Sequence, residues 1–285
     1  MKRKNILTLT IILATVLVLI VLLTKNFQSE ITINSPVSAD KTAQHILQDS
    51  SLTIKELNPY TYLLRIRNRN QQEQLVRLLI QPKIQKPSTS QLRFQYFKKG
   101  IQFILPSKND PVNLLAERMN SYLINTELLY GYKIERTTVQ DTTYLFKTIL
   151  VPTDSLLSKM NLVYDSLIQY AAEKKLSYRG VRIFNIYRMD SNYSQLNASI
   201  SIHTPLTETL PTGIEFKQMP YKKNLLVAAF KGRFNQLNLA FEALERYKTD
   251  YDLVNMAIPY AELPVDVTIQ SDNQEVELRV YYPYF

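Results

Sequence analysis

The chain has 285 residues, of which 45% are hydrophobic, and it carries a formal net charge of +9. These values are typical of a globular protein with one large domain or two ordinary ones. The sequence contains no Cys, which excludes disulfides, thiol nucleophiles, Cys-ligated metals and a lipid-modified N-terminal Cys. Because the basic residues are scattered along the chain, the charge favours a solvated surface attracted to an anionic membrane over the binding of nucleic acid.

The N-terminus places three basic residues, at positions 2–4, before an uncharged apolar run from residue 6 to residue 23. At 1.5 Å per residue this run is about 27 Å long, close to a hydrocarbon core of about 30 Å. A cleaved signal peptide has a shorter apolar region with a cleavage site close behind it, and Val37–Ala39 is too distant for that role. The pattern predicts a single-pass membrane anchor over residues 1–26, with bilayer contact through residues 6–23. The N-terminus would be cytoplasmic and the globular part periplasmic.

Residues 27–128 read as a β-rich domain. A strand is predicted over Ser29–Ser35 and a weak helix over Ala39–Gln48. The hairpin-like runs that follow predict an antiparallel meander: Leu52–Ile54, Tyr60–Arg67, Gln74–Ile80, Gln91–Phe97 and Gly100–Leu105. Asp110-Pro111 then reads as the N-cap and first residue of a helix that runs to about Tyr130.

This order of strand, helix, antiparallel strands and long helix describes a helix-grip domain. Its opening, with Asn34-Ser35-Pro36 between a strand and a helix, resembles the SRPBCC (START-like, polyketide-cyclase-like) superfamily. The resemblance covers only about 20 residues, and the aromatic-rich stretch that usually follows the first helix is missing. It implies a reduced version of a hydrophobic-cavity fold, with or without a ligand. An unrelated β-rich spacer is the alternative.

A repeat dominates the remainder of the chain. Asn161–Leu176 recurs as Asn238–Leu253 with five of sixteen positions identical. Both copies have helical spacing, a strand-like run precedes each, and two strand-like runs follow. The sequence therefore predicts a duplicated strand–helix–strand–strand unit, with repeats over 142–203 and 213–285. A cleft between two such halves is a natural binding site.

Repeat one contains a helix that begins at Pro152-Thr153-Asp154 and buries one apolar face, with Leu156, Met160, Val163, Leu167 and Tyr170 in steps of four and three. Its predicted strands are Thr143–Val151, Val181–Arg188 and Leu196–Ile202. In repeat two the helix face is formed by Leu237, Phe241, Leu244 and Tyr247. Its predicted strands are Ile214–Gln218, Asn224–Phe230, Val265–Gln270 and Glu275–Tyr282, with a turn at Lys231-Gly232.

Several residues of repeat two form a recognisable pattern. Phe230-Lys231-Gly232-Arg233-Phe234 ends a strand, a helix with spaced Leu and aromatic residues follows, and Tyr282-Pro283 closes the last strand. This pattern resembles the gyrase-inhibitor-like, AraC-type effector-binding family over residues 129–285. The resemblance implies a tandem α+β fold that holds a small molecule between its halves.

One position departs from that family. Members that bind cationic aromatic compounds use a Glu on the last strand, four residues before the final Pro, and Arg279 stands there in this sequence. Glu277 lies two residues earlier on the same face of the strand, because side chains alternate. Three possibilities follow: a bulge brings Glu277 into the cleft, Arg279 presents a cation that favours an anionic or neutral ligand, or the pocket is degenerate.

The predicted fold class is α+β, with an N-terminal transmembrane helix, a β-rich helix-grip-like segment and the duplicated effector-binding-like domain. The predicted function is non-enzymatic binding of an unknown small hydrophobic or amphiphilic ligand in an aromatic cleft between the repeats. The residues predicted to line that cleft are Tyr144, Tyr187, Phe230, Phe241, Glu277, Arg279 and Tyr281.

Two other functions stay open. The chain could be an envelope structural or interaction module that docks an envelope protein. It could also be a hydrolase with Glu277 as general base beside Tyr281, because some relatives of the fold use a Glu–Tyr pair. No metal or cofactor is expected, since His45 and His203 are the only two His, they lie far apart in sequence, and there is no glycine-rich phosphate loop.

Overall fold

The computed structural model describes residues 2–49, 52–67, 73–100, 102, 110–140, 143–190, 192–203, 210, 212–255 and 257–284, with side chains from Ile11 onward. It is a β-rich α+β fold with two antiparallel sheets. The chain divides into two compact units, Met1–Asn125 and Thr126–Phe285. Each unit contains one of the sheets and a hydrophobic core of its own.

The N-terminal helix α1 spans Lys2–Thr24. Across the described residues, no helix is both long enough and apolar enough to cross a membrane. The predicted transmembrane helix over residues 1–26, its bilayer contact through residues 6–23 and the periplasmic location derived from it are therefore wrong.

The first unit is built on a five-stranded antiparallel sheet with the strand order β1-β5-β4-β3-β2. The strands are β1 (Asn26–Ser35), β2 (Thr53–Asn58), β3 (Thr61–Arg67), β4 (Glu73–Lys83) and β5 (Lys86–Lys99). Helices α2 (Ala39–Gln48) and α3 (Pro111–Ile124) pack against one face of the sheet. Buried residues such as Leu78, Phe94 and Met119 form the core between helices and sheet.

The ends of these helices follow local capping rules. Asp110 caps α3, and its Oδ1 accepts a hydrogen bond of 2.9 Å from the Val112 backbone N–H. The long helix predicted to reach Tyr130 is interrupted at Asn125, and the short helix α4 (Thr126–Tyr130) follows in the second unit. The strand predicted over Gly100–Leu105 lies outside the described residues except at positions 100 and 102.

The second unit is built on an eight-stranded antiparallel sheet with the order β10-β7-β9-β8-β12-β13-β11-β6. The strands of its first half are β6 (Ile134–Thr138), β7 (Thr143–Pro152), β8 (Tyr178–Arg188) and β9 (Tyr193–Ile202). Those of its second half are β10 (Glu215–Gln218), β11 (Asn224–Arg233), β12 (Tyr260–Leu263) and β13 (Glu275–Tyr284). Helix α5 (Leu156–Glu173) connects β7 to β8, and α6 (Asn238–Asp250) connects β11 to β12.

The strand order reads the same from either edge. From one edge it runs through β10 and then β7, β9 and β8 of repeat one. From the other edge it runs through β6 and then β11, β13 and β12 of repeat two, and β8 pairs with β12 at the centre. The two outer strands, β6 and β10, are exchanged between the repeats. Strand β6 precedes repeat one in the chain but pairs with β11 of repeat two, and β10 precedes repeat two but pairs with β7 of repeat one.

Helices α5 and α6 pack on one face of this sheet, where the alternating strand residues form the main core with them. The predicted apolar face of α5 is buried at Leu156, Met160, Val163 and Leu167. Side chains at the intervening strand positions point to the opposite face of the sheet. A smaller buried cluster lies there, formed by Val139, Tyr144, Ile183, Leu225 and Tyr260.

Two predicted elements of repeat two are wrong. Lys231-Gly232 is not a turn, because β11 continues to Arg233. The segment Val265–Gln270 is not a strand, and the strand that joins β8 to β13 is Tyr260–Leu263.

The segment Val265–Gln270 needs no strand partner because side chains bond its backbone, chiefly the buried Arg182, which is 7% exposed. Its guanidinium donates to the carbonyl of Pro264, to that of Val265 at 2.8 Å and to that of Val267 at 2.7 Å. The side chain of Asn161 bonds the carbonyl of Ile269 at 3.1 Å. Side chains therefore satisfy backbone groups that would otherwise require a neighbouring strand.

Candidate functional site

A cavity of about 500 Å³ lies on the sheet face opposite α5 and α6. Residues from β6, β8, β11, β12 and β13 line it, together with Tyr144 at the start of β7. Four charged side chains line it, from β6, β12, β13 and the residue before β6, and we call it the charged cavity. Its volume is within the range of about 300–1,000 Å³ that is usual for small-molecule sites.

The floor of the charged cavity is apolar and aromatic. Tyr144, Ile183 and Leu225 are 4%, 5% and 4% exposed and belong to the small cluster on this face. The rings of Tyr260 and Tyr281, which face each other across β12 and β13, are stacked with centroids 5.1 Å apart and planes 19° apart. A flat ligand can therefore lie against a preformed aromatic surface.

The described walls of the charged cavity carry four charged groups. Glu262 on β12 is the cross-strand partner of Arg279 on β13, and its Oε2 accepts a hydrogen bond of 2.8 Å from the Tyr281 hydroxyl. On the β6 side, Lys133 and Glu135 form an exposed ion pair of 2.6 Å. Two cations and two carboxylates therefore line the same space, and their charges balance.

The environment holds Tyr281 in its protonated form. Burial and the neighbouring charge of Glu262 raise the pKa of the Tyr281 hydroxyl to about 12. The pKa of Arg279 is raised by its hydrogen bond to Tyr281 and by the charges around it. Because the folded pKa of Tyr281 lies above the ordinary value near 10, its contribution to stability is complete below pH 10 and is lost as the pH rises towards 12.

The titration of Tyr281 can be measured with tyrosine labelled at Cζ, followed by NMR. We expect the Tyr281 signal to titrate with a midpoint near 12 and to move downwards in Glu262→Gln, which removes the neighbouring negative charge. The midpoint should stay above 10 in the variant, because burial is the larger cause of the shift. Tyr281→Phe assigns the signal. A midpoint that does not move in Glu262→Gln would show that Glu262 does not act on this hydroxyl.

The charged cavity brings together three of the seven residues predicted from the sequence: Tyr144, Arg279 and Tyr281. Glu277 is not among its lining residues. The pairing of β11 with β13 has no bulge, and Glu277 lies opposite Lys231 and forms an ion pair with it in solvent. Arg279 therefore takes the position that faces the cavity. The Glu–Tyr pair considered for hydrolysis is not formed, because Tyr281 bonds Glu262.

The other predicted residues lie elsewhere. Phe230 is buried in the main core and stacks on Tyr132 at 6.4 Å between centroids. Tyr187 and Phe241 line a different cavity, of about 520 Å³, close to the start of α6. The predicted set is therefore divided between the two faces of the sheet, because aromatic content alone does not distinguish them.

Sequence reasoning missed Glu262 and Glu135. Glu262 lies in the short segment Tyr260–Leu263, between Pro259 and Pro264, where no alternating pattern indicates a strand. The close prolines were the available signal, since Pro commonly flanks short strands. Glu135 belongs to β6, whose pairing with a distant strand has no local signature.

The described residues contain no group of three or more His, Asp or Glu placed to hold a metal ion. His45 lies on α2 in the first unit, and His203 is exposed at the end of β9 in the second. Neither residue lines the charged cavity.

No protein-family model matches the chain, and no curated protein matches its sequence. The crystal structure of the EcmrR C-terminal domain matches with a TM-score of 0.44 and 13% identity, over 54% of this chain and 98% of that one. The cryo-EM structure of an EcmrR–DNA complex matches with a TM-score of 0.44 and 14% identity, over 65% of this chain and 68% of that one. The crystal structure of an uncharacterized conserved protein from Listeria innocua matches with a TM-score of 0.39 and 11% identity, over 53% of this chain and 92% of that one. These distant likenesses identify no ligand, and the DNA is a partner of that protein.

Proposed function

We propose that this protein binds a small planar molecule in the charged cavity without transforming it. The ligand is largely apolar and carries balanced charge, either none or one charge of each sign. The observation that carries the proposal is that the cross-strand neighbours Glu262 and Arg279 both line a cavity with an aromatic floor. The resemblance of residues 129–285 to effector-binding proteins points in the same direction.

The planar and apolar character follows from the floor. The stacked rings of Tyr260 and Tyr281 and the buried side chains of Ile183 and Leu225 offer a surface that water solvates poorly. Covering it with a flat ring releases that water and adds about 25 cal/mol per Å² of apolar area buried. Aromatic stacking contributes about 0.5–1.5 kcal/mol more.

The charge preference follows from the walls. A ligand with one net charge is attracted by one member of the Glu262–Arg279 pair and repelled by the other. At a separation of about 4 Å and an effective dielectric constant near 20, each term is about 4 kcal/mol before desolvation is subtracted. A neutral ligand avoids the repulsion, and a ligand with both charges can place each next to its opposite.

The state of the polar groups favours binding over catalysis. Tyr281 remains a hydroxyl at neutral pH and donates to Glu262, so it positions that carboxylate rather than accepting a proton. Glu262 already accepts a hydrogen bond from Tyr281, and Arg279 is its cross-strand neighbour. A general base needs a free approach to its substrate proton.

A set of aromatic probes that share one ring but differ in charge tests this proposal. We expect the protein to bind 4-(aminomethyl)benzoate, which carries both charges, about tenfold more tightly than benzoate or benzamidine. Glu262→Gln should shift the preference towards benzoate, and Arg279→Met should shift it towards benzamidine. Each shift should be about tenfold, which corresponds to about 1.4 kcal/mol. Calorimetric titration measures all three affinities for each variant.

The matched control is Glu277→Gln, which removes a carboxylate two residues from Arg279 on the same strand but outside the cavity. It should leave all three affinities unchanged. If Glu262→Gln and Arg279→Met shift the preferences no more than this control, the charged cavity is not the binding site. Turnover of any probe would contradict the non-enzymatic part of the proposal.

A further inference from the structure

A second cavity, of about 460 Å³, lies beside the charged cavity on the first repeat. Its walls include Phe146 and Thr148 on β7, Asn185 on β8, Gln195 and Asn197 on β9, and Met219 after β10. Four of these six side chains are neutral hydrogen-bonding groups, and we call it the amide cavity. Of the described residues, Tyr144, Ile183 and Tyr260 line both this cavity and the charged cavity.

The two cavities occupy equivalent places in the two repeats. Asn197 on β9 faces Thr148 on β7, as Arg279 on β13 faces Ala229 on β11. Asn197 also faces Asn185 on β8, as Arg279 faces Glu262 on β12. The strand order reads the same from both edges, so the Asn185–Asn197 pair is the counterpart of the Glu262–Arg279 pair. Duplication has produced two similar cavities, one charged and one built from amides.

The amides form a connected network. Asn197 Oδ1 accepts from the Thr148 hydroxyl at 2.9 Å and from Gln195 Nε2 at 3.2 Å. Asn197 Nδ2 donates to Asn185 Oδ1 at 3.4 Å. Asn185 Nδ2 donates to the carbonyl of Pro259 at 2.9 Å. These bonds fix the orientation of each amide and assign which end donates.

The network leaves capacity for a ligand. A carboxamide has two N–H donors and an oxygen with two lone pairs. After the bonds above, Asn185, Asn197 and Gln195 each keep one N–H, and the oxygen of Gln195 has no partner among the described residues. The site therefore offers donors for the oxygen of a ligand carboxamide and an acceptor for its N–H.

The remaining walls suit a flat ring. Phe146, Met219 and Ile258 line the cavity, and most of its surface is apolar. Among the described residues of its lining, Lys217 is the one charged side chain, and its Nζ lies over the Phe146 ring at 3.1 Å and 3.9 Å from the Glu215 carboxylate. The charge of Lys217 is therefore offset by the Glu215 carboxylate.

We propose that the amide cavity is a second binding site, which takes an uncharged aromatic carboxamide. A cationic isostere is disfavoured because it would lose its hydration without meeting a carboxylate among the described lining residues, and an anionic isostere is disfavoured because it would have to compete with Glu215 for Lys217. This inference is independent of which ligand the charged cavity takes. The protein would thus hold two different ligands, or two ends of one ligand, side by side on one face of the sheet.

Methyl NMR of the 285-residue chain with benzamide tests the inference. Thr148 and Met219 report on the amide cavity, and Ala229 reports on the charged cavity. We expect benzamide to shift the Thr148 and Met219 methyl signals, and benzoate and benzamidine to bind there at least tenfold more weakly. Asn197→Leu should weaken the benzamide response of Thr148 and Met219 at least tenfold, and Glu262→Gln should leave that response unchanged.

A second variant keeps the inference testable if Asn197→Leu does not fold. Asn197→Asp keeps the shape of the side chain and replaces the amide by a carboxylate, so the amide cavity should then bind benzamidine more tightly than benzamide. If benzamide leaves Thr148 and Met219 unshifted, or if both Asn197 variants respond like the wild-type protein, the inference is overturned. If only the proposal for the charged cavity is wrong, the Ala229 methyl signal would not shift and the Glu262 and Arg279 variants would not change the ligand preference. The Thr148 and Met219 signals would still respond to benzamide.

Discussion

Replacing Arg182 by Met is expected to lower the free energy of unfolding of the second unit by about 3–5 kcal/mol. Met keeps the length of the aliphatic chain but removes the guanidinium that donates to the carbonyls of Pro264, Val265 and Val267. Hydrogen bonds made by a charged group contribute about 1.5–3 kcal/mol each, and water replaces part of this because Pro264 and Val265 are exposed. Urea denaturation of the 285-residue chain, followed by far-UV circular dichroism, measures the change.

Hydrogen exchange adds a local readout to this experiment. The amides of residues 265–270 should exchange faster in Arg182→Met, while those of the first unit should not change. Arg188→Met is the matched control, because Arg188 lies on the same strand and is exposed. It should change the free energy of unfolding by no more than about 0.5 kcal/mol. Equal stability of the two variants would mean that Arg182 does not hold this segment.

Filling the charged cavity is expected to abolish binding without destabilising the protein. Ala229 lies on β11 opposite Arg279, lines the cavity and is exposed. In Ala229→Trp the indole would occupy the space above the aromatic floor. We expect the affinity for 4-(aminomethyl)benzoate to fall at least about 100-fold, equivalent to about 2.7 kcal/mol. Calorimetric titration measures the loss, and thermal denaturation checks that the fold is kept.

The control for this change is Lys231→Trp, two residues further along the same strand and outside the cavity. Its affinity should stay within about twofold of the wild-type value. The sequence contains no Trp, so the introduced indole in either variant also gives a fluorescence signal without a contribution from other Trp residues. If Ala229→Trp binds the probe as tightly as Lys231→Trp, the ligand does not occupy this cavity.

Sequence reasoning succeeded where the signal is local. The steps of three and four residues on α5 identified its buried face, and Asp110 with Pro111 located the start of α3. These features depend on residues within one turn or two of each other. They gave the duplicated helices their correct place in the chain.

The rest depends on contacts between distant residues. Glu262 reaches the cavity because the four-residue strand β12 pairs with β13 of repeat two and β8 of repeat one. The Ala and Glu in β12 do not favour a strand, so its composition could not predict it. The apolar alternation of Val265–Gln270 pointed to the wrong segment, since Arg182 replaces the expected strand partner. The division of Tyr144, Tyr187 and Phe241 between two cavities also required the three-dimensional pairing.

The exchange of β6 and β10 between the repeats has a consequence for how the second unit folds. Each repeat supplies the strand that covers the outer edge of the other. Neither repeat can therefore complete its sheet alone, and an opened repeat would expose the unpaired edge of its neighbour to aggregation. The duplicated unit is thus expected to gain and lose its structure as a single cooperative whole. The geometry of both cavities then depends on the integrity of the two halves together.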